Sequence, residues 1–550
     1  MHIFRLFFSM GLILLFACNK KDNKGGTVLP PANPFIPNSQ HNSVITQHND
    51  NNRSGLNSNE AVLNTTNVND QKFGKLFSMK VDDQVYAQTL VVGSLKMDTV
   101  IHNVAYIATV NNSLYAFDAD NGNLFWNKNF TQPGMRPPRN TDMGGCGGVY
   151  QDFTGNIGVV GTPVIDSVKK EMFFVARSTD GSNYVQHLHA INILTGSEMP
   201  GSPVLIAASV AGTGDGSSNN IVPFNGKTQN QRQALTLVNG RVYISWSSHC
   251  DIIPYHGWIL GYNESTLQQE ITYNDTPDGW DGGIWESGMG LAADNAGNLY
   301  AAIGNGAVGV NGNVTNTRNI SEAAVKFTPA GKTLNVASYF IPYNFAALND
   351  QDLDFGAIGS LLIPNTNYFF TGAKDGSLYL LDKDNMGGYN ISSNNTHQAF
   401  SLNRADANQH CQAAYYKGAS AEFVYVWSEN DQLKAFPFNR GTGLFNTGAT
   451  ITSPVSGPTG QTGAMLSASS NNGATGTGIL WATFPRACDA EHNTCPGVLY
   501  AFDADNISKV LWNSTGSDAF NFAKFSSPTI ANGHVYISTF SGYVNVYGLK

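Results

Sequence analysis

Charged residues are scarce in this chain. Asp, Glu, Lys and Arg make up 13% of its 550 residues, against roughly 25% in ordinary soluble domains. The formal net charge is −9, whereas a nucleic-acid-binding protein needs a basic face. The composition therefore argues against nucleic acid as a partner, and the negative charge is too dilute to indicate a cationic one.

Short motifs of several protein classes are also missing. The six cysteines include no Cys-x-x-Cys pair, so nothing supports a zinc ribbon or a thioredoxin-like site. The strings GxSxG, HExxH and GxxxxGK[ST] do not occur. Asp118 and Asp382 begin DxD turns, but position 12 of an EF-hand loop counted from them is Asn129 or Ser393 rather than Glu. We interpret both as turn-forming residues at strand ends.

The N-terminus reads as an export signal. An apolar run from Leu6 to Ala17 follows a short start with Arg5, and it is too short to span a membrane. Its end, Leu-Phe-Ala-Cys18, resembles the lipobox of bacterial lipoproteins, which implies cleavage before Cys18 and lipid on its sulfur. We therefore expect a signal peptide over 1–17, a Gly- and Pro-rich flexible tether over 18–41, and a bacterial cell-envelope protein attached by lipid only, on the periplasmic or the surface face of the outer membrane. The alternative is an ordinary signal peptide with an incidental cysteine.

Export makes disulfides available. Cys488 and Cys495 stand close together in CDAEHNTC, and we predict a local disulfide between them. Cys146, Cys250 and Cys411 remain, so at least one of these three is free or pairs outside the chain. Cys146 is flanked by glycines, and a cross-loop disulfide is the favoured interpretation there.

One seven-residue string, LYAFDAD, occurs at both Leu114 and Leu499. Weaker copies follow the same order of apolar, small, aromatic and turn residues. Together they make eight, which begin at Leu114, Leu188, Ile259, Ala323, Leu378, Leu433, Leu499 and Tyr543. Strand–turn–strand patterns with Asn-Gly turns precede several of them. Strand repeats of this length predict a β-propeller over 42–550, all-β, with eight blades and seven as the alternative.

The repeated string also predicts how blades pack. Tyr115 and Phe117 share one face of their strand, and Leu114 and Ala116 share the other, so both faces can contact neighbouring blades. We expect Trp126 and Trp512 to open the first strand of the next blade. We also expect the strand around Lys75 to complete the last blade and close the ring.

These repeats, with segments such as GTPVID at Gly161 and KDGSLYLLDKDNMGG at Lys374, resemble the quinoprotein-like or pyrroloquinoline-quinone-repeat proteins. The resemblance implies an eight-bladed propeller of the quinoprotein alcohol dehydrogenase type. Its dehydrogenases hold pyrroloquinoline quinone with Ca²⁺ beneath a disulfide of adjacent cysteines, and no two cysteines are adjacent here. Other propellers of this repeat type are envelope assembly platforms. We therefore expect a binding or scaffold module with a protein or glycan partner, and a quinone-dependent dehydrogenase of alcohols or sugars as the alternative.

The densest polar cluster is SSHCDIIPYHGW. It contains His249, Asp251, His256 and Trp258, which could bind a ligand or a metal. Consecutive side chains of an extended backbone point to opposite sides, so His249, Cys250 and Asp251 converge only at a sharp turn. The structural alternative is a loop in which one His caps strand carbonyls and Trp258 packs between blades.

Four further ligand-binding candidates lie in loops. Glycines around Trp285 would let a planar group approach, and Glu286 beside it could bind a cation. Arg232, just before a strand, and Lys374, in a tight turn, could bind an anion at a mouth of the propeller. The alternative for Trp285 is that it packs between blades, and the alternative for Lys374 is that it lies in an ordinary turn without a ligand.

Overall fold

The computed structural model describes residues 42–143, 153, 155–402, 408–514 and 520–550. The expected signal peptide, Cys18, the tether and Cys146 lie outside these residues. Within the described residues, two helices are α-helical, Asn140–Met143 and Phe345–Asp350, and two are 3₁₀ turns, Glu286–Gly288 and Thr447–Ala449. None of these helices is long and apolar enough to cross a membrane.

Eight antiparallel sheets follow one another along the chain as blades, each numbered here with its first strand first. Blade 1 contains Leu90–Met97, Val100–Ala108, Ser113–Asp118 and Leu124–Asn129. Blade 2 contains Val164–Asp166, Glu171–Thr179, Tyr184–Asn192 and Val204–Leu205. Blade 3 contains Thr236–Val238, Arg241–Ser248, Trp258–Asn263 and Gln269–Asn274, with Gln229–Asn230 beside its second strand. Blade 4 contains Ala292–Ala293, Leu299–Ile303, Ala323–Ala330 and Thr333–Ile341, with Gly388–Tyr389 on its outer edge.

The remaining blades follow the same order. Blade 5 contains Leu361–Leu362, Tyr368–Gly372, Ser377–Asp382 and Gln398–Ser401. Blade 6 contains Ala414–Lys417, Glu422–Val426 and Gln432–Asn439, with Leu444–Phe445 and Ile451–Ser456 on its outer edge. Blade 7 contains Met465–Ser469, Ile479–Pro485, Pro496–Asp503 and Val510–Asn513, with Leu56–Asn57 and Phe520–Asn521 as additions. Blade 8 contains Thr529–Ala531, His534–Ser538, Tyr543–Leu549 and Phe73–Lys80. A separate hairpin joins Ser209–Ala211 to Ile221–Pro223.

The eight repeat copies are the third strands of the eight blades. The eight-bladed, all-β prediction is thus confirmed, and so is the weak copy at Ala323. Phe73–Lys80 pairs antiparallel with Tyr543–Leu549, so the predicted early strand does complete the last blade. The expectation for the two tryptophans was wrong. Trp126 and Trp512 lie in fourth strands, paired with Ala116 and Ala501, because the turn after the repeated string is short enough for one more strand of the same sheet.

Apolar packing between blades forms the core. Leu114 and Ala116 contact blade 2, whereas Tyr115 and Phe117 contact blade 8, as the alternating pattern predicts. Each of the eight blade interfaces has its own buried cluster. Asp118 and Asp382 accept the backbone N–H two residues on, which confirms their role as turn formers.

The segment 44–57, here named the closure segment, passes the first strand of every blade in order. It hydrogen-bonds to Val91, Ile165, Leu237, Ala293, Leu362, Tyr415, Ala468 and Ile530. These residues lie in the first strands of blades 1 to 8. The closure segment therefore connects the first strands of all eight blades.

Candidate functional site

A cavity of about 340 Å³ is surrounded by segments of several blades. Its walls come from segments that lead into first strands, such as Gly283 and Trp285 before blade 4 and Phe525 before blade 8. The ends of second strands, such as Ser247 and Ser248 of blade 3, also line it. Segments of several blades thus converge on a single polar chamber.

Five of the eight sequence-predicted residues line this cavity: Arg232, His249, Asp251, Trp285 and Lys374. The sharp turn required for His249, Cys250 and Asp251 is present, because Cys250 and Asp251 have φ values of 52° and 50°. These left-handed conformations bring three consecutive side chains to one wall. His249 also bonds through Nε2 to Asn140 Oδ1 at 2.9 Å.

The other three candidates lie outside the cavity lining. His256 is buried and bonds to Thr276 Oγ1 and to the backbone oxygen of Asp215, both at 2.9 Å. Trp258 is fully buried in the cluster between blades 2 and 3. Trp258 thus packs between blades as in the structural alternative, whereas His256 bonds to a hydroxyl and to a turn carbonyl rather than to strand carbonyls.

Glu286 is also buried, directly beside Trp285. Its Oε1 accepts hydrogen bonds from Ala302 N–H at 2.8 Å and Ser360 Oγ at 2.5 Å. Burial raises the pKa of Glu286 to about 8. A carboxyl that is protonated at neutral pH and faces the protein interior is a structural hydrogen-bonding group in this setting.

Two aromatic rings form the apolar part of the cavity. The Trp285 ring lies 5.7 Å from the His410 ring and 6.2 Å from the Phe525 ring, between centroids. The Arg232 guanidinium carbon lies 4.8 Å from the Phe525 centroid, and Lys524 Nζ lies 5.3 Å from it. Cations over ring faces are stabilised by the ring quadrupole, so both rings stay flanked by positive charge.

Lys374 is held by two carboxylates in the cavity wall. Its Nζ lies 2.6 Å from Asp354 Oδ2 and 3.3 Å from Asp352 Oδ1, and 5.6 Å from the Trp285 ring centroid. Burial alone would lower the pKa of Lys374, but Asp354 and Asp352 outweigh it and raise the pKa above its usual value. Lys374 is therefore charged at any physiological pH.

A buried histidine–glutamate pair completes the chamber. His410 Nδ1 lies 2.7 Å from Glu429 Oε1, and His410 Nε2 lies 3.2 Å from Gln461 Nε2. Burial, with Lys374 and Lys524, lowers the pKa of His410 to about 3, and burial with Asp489 raises that of Glu429 to about 8. At neutral pH the pair carries no net charge.

Sequence reasoning missed Asp354, His410, Lys524 and Phe525. Each lies in a loop that precedes the first strand of a blade, and these loops share no repeated string. Their position just before a predicted first strand is the sequence feature from which these four residues could have been predicted.

The cysteines divide into two groups. Cys488 and Cys495 form a disulfide, in a loop whose Glu491 lines the cavity. Cys250 is disulfide-bonded as well, and its partner lies outside the described residues because Cys411 is free and buried.

Solved structures with the same architecture are numerous, although no protein-family model and no curated protein matches the chain. A europium-containing methanol dehydrogenase superposes with a TM-score of 0.58 at 11% identity, covering 92% of this chain and 98% of its own. Quinohemoprotein alcohol dehydrogenases from Pseudomonas putida and Comamonas testosteroni each reach 0.56 at 12% identity, covering 92% and 93% of this chain and 80% and 81% of theirs. The fold is that of a quinoprotein-like β-propeller.

The residues of this quinoprotein-like propeller fit a quinone and its metal only in part. Trp285 could stack on a planar ring, and Arg232, Lys374 and Lys524 could face its carboxylates. A hard metal ion needs a set of oxygen ligands, and Asp352 and Asp354 are engaged by Lys374 instead. The quinone ring and its carboxylates would therefore find partners, whereas the Lys374 group does not offer the metal a set of oxygen ligands.

Proposed function

We propose that this quinoprotein-like propeller is a binding module that takes a terminal sugar ring of a glycan into its central cavity. The observation that carries the proposal is Trp285, a partly exposed aromatic side chain in the lining of a chamber of polar side chains. A sugar ring has an apolar C–H face that packs on an indole, while its hydroxyls hydrogen-bond to surrounding carboxylates, amides and cations. Concave sites with an apolar wall and a few placed polar groups are where proteins bind small ligands.

The experiment is a glycan screen with the mature protein, followed by calorimetry on the strongest binder. Trp285→Ala is expected to weaken binding by at least about tenfold, or ~1.4 kcal/mol. Trp280→Ala is the matched control, because Trp280 is 43% exposed and does not line the cavity. If no ring-bearing glycan binds, or if both variants bind as the wild type does, the proposal is wrong.

A pyrroloquinoline-quinone-dependent dehydrogenase is the second candidate. It is favoured by one observation, the carboxylate of Asp354 held beside Trp285 by Lys374 and by Asn305 N–H at 2.7 Å, where it could accept a proton. Reconstitution with the quinone and Ca²⁺ decides between the two. Dye reduction by an alcohol or sugar would favour the dehydrogenase, and absence of bound quinone would exclude the dehydrogenase function.

We further propose that a lipid on Cys18 holds the protein at the cell envelope, on the outer membrane, where a protein or glycan partner reaches the open mouth. Cys18→Ser is expected to move the protein from the membrane to the soluble fraction. Membrane retention of this variant in fractionated cells would contradict lipid attachment.

A further inference from the structure

Lys374 is placed by a rigid turn rather than by a mobile surface loop. Gly376 N–H bonds to Ala373 O, and Ala373 N–H bonds back to Ser377 O. Lys374 N–H bonds to the backbone oxygen of Asp354, and its side chain is 11% exposed. The ammonium thus has a fixed position inside the cavity.

The carboxylates around this ammonium are aimed at it from two positions of one loop. Asp354 Oδ1 is bound by Asn305 N–H, which leaves Oδ2 for Lys374 at 2.6 Å. Asp352 Oδ1 approaches the same Nζ at 3.3 Å. Asp354 is mostly buried, and Asp352 reaches the same ammonium from the exposed rim of the cavity. Two carboxylates that converge on one point are part of the arrangement that hard metal ions use, and here an ammonium fills that point.

A second group of side chains could also hold a metal ion. Among the residues that the structure describes, the one set of three close His, Cys, Asp or Glu ligand atoms is Asp489, Glu491 and His492. Asp489 already accepts hydrogen bonds from Glu491 N–H and is bonded to His492 Nδ1. This set lies in the disulfide loop and shares no residue with the Lys374 group.

We infer that the ammonium of Lys374 is the built-in cation of the central cavity. It occupies the point at which Asp352 and Asp354 would otherwise bind a metal ion, and an oxygen atom of the ligand contacts this ammonium instead of a metal. The inference does not depend on the ligand being a glycan. It predicts that metal binding at this point is latent and appears when the ammonium is removed.

The test uses terbium ion as the probe, because Trp285 lies close enough to the point to sensitise terbium emission. Lys374→Met removes the charge and keeps most of the stem. This variant is expected to bind terbium at least about tenfold more tightly than the wild type at the cavity, since two carboxylates lose their cation. Lys374→Arg keeps a cation and is expected to behave as the wild type.

Three control variants identify the site from which the terbium emission comes. Adding Asp354→Asn or Trp285→Phe to Lys374→Met is expected to abolish the gained signal, whereas adding Glu491→Gln removes only binding at the disulfide loop. A folded Lys374→Met protein without the gained signal would overturn the inference. Trp285-dependent terbium emission that persists in Glu491→Gln with Lys374 intact would overturn it as well, and that measurement remains decisive should Lys374→Met fail to fold.

Discussion

Trp246 and Trp258 stand directly opposite each other on the second and third strands of blade 3. Both are fully buried, and both meet the Phe224 ring edge-on, at centroid distances of 5.1 and 5.9 Å. Trp246 Nε1 donates to Gln186 Oε1 at 2.9 Å, whereas Trp258 Nε1 has no hydrogen-bond partner among the described residues. The two residues therefore share a setting and differ in one hydrogen bond.

We expect Trp246→Phe to lower the free energy of unfolding by about 1–2 kcal/mol more than Trp258→Phe. The first substitution leaves the buried Gln186 oxygen without its donor, and the second removes a donor that was unsatisfied. Urea unfolding of both variants measures the difference. Equal losses would mean that packing alone decides the stability of both positions.

Glu286 is a second residue whose environment fixes its role. Its pKa is about 8 in the folded protein, against 4.5 for an ordinary Glu, because burial disfavours the ionised form. Between these two values the folded state holds a proton that the unfolded state has lost. Its contribution to stability is therefore complete below about pH 4.5 and is lost as the pH rises to about 8.

Glu286→Gln is expected to flatten this part of the stability profile. From pH 5 to pH 8 the wild type should lose up to roughly 1.4 kcal/mol per pH unit relative to the variant, because Gln cannot ionise and its oxygen can still accept from Ala302 and Ser360. Urea unfolding at a series of pH values gives both curves. Parallel curves would show that Glu286 ionises normally in the fold.

At the scale of elements, the closure segment depends on Arg53. Its five donors reach Leu291 O, Thr46 Oγ1, Gln47 O, Leu235 O and Thr236 Oγ1. Burial lowers the pKa of Arg53 to about 10, so the guanidinium remains charged at neutral pH. Blades 3 and 4 are thus tied to the closure segment by one buried side chain.

We expect Arg53→Met to lower the free energy of unfolding by at least about 3 kcal/mol, since several buried acceptors lose their donors together. Arg318→Met is the matched control, because Arg318 is 48% exposed and its partners are the partly exposed Asp278 and the backbone oxygen of Ala211. That change is expected to cost at most about 1 kcal/mol. Similar urea midpoints for the two variants would show that the closure segment adds little.

The elements differ in how well the sequence predicts them. Third strands were found because the order of Leu114, Ala116 and Asp118 recurs in kind at several copies, with an apolar residue, a small residue two positions on, and an Asp or Asn at the turn. The closure segment was missed because its partners are backbone groups of eight different blades, which leave no local pattern. Trp126 was predicted one strand too late, because an aromatic residue after a turn is compatible both with the last strand of one blade and with the first strand of the next.

The residues of the cavity also differ in how well the sequence predicts them. Trp285 and Lys374 could be proposed because glycines beside them signal special backbone conformations. Asp354 and His410 could not, because each becomes a wall residue only when distant blades meet around the axis. A single sequence contains the loops but not their convergence.

For the whole molecule, ring closure decides how it unfolds. Met79 is buried in the cluster between blades 8 and 1, with Val544, Val546, Val91 and Ala105. Its strand comes from the beginning of the fold and its partner strand from the end. This interface has the same layered packing as the seven others.

Met79→Ala is therefore expected to destabilise the entire ring by about 2–5 kcal/mol while leaving one unfolding transition. Leu124→Ala, at a position that is 50% exposed, serves as the control and should change stability by at most about 0.5 kcal/mol. Far- and near-ultraviolet circular dichroism in urea are expected to coincide for all three proteins. A separate early transition in Met79→Ala would show that blades 8 and 1 open independently.

The closure segment also has a consequence for biosynthesis. Residues 44–57 leave the ribosome before any blade, yet their partner Ile530 is among the last to be made. Contacts separated by so much chain form slowly, and unpaired inner strand edges invite association with other chains meanwhile. The closure segment is thus synthesised before the blades but is among the last segments to reach its final position. The nascent chain needs protection from association with other chains until blade 8 is complete.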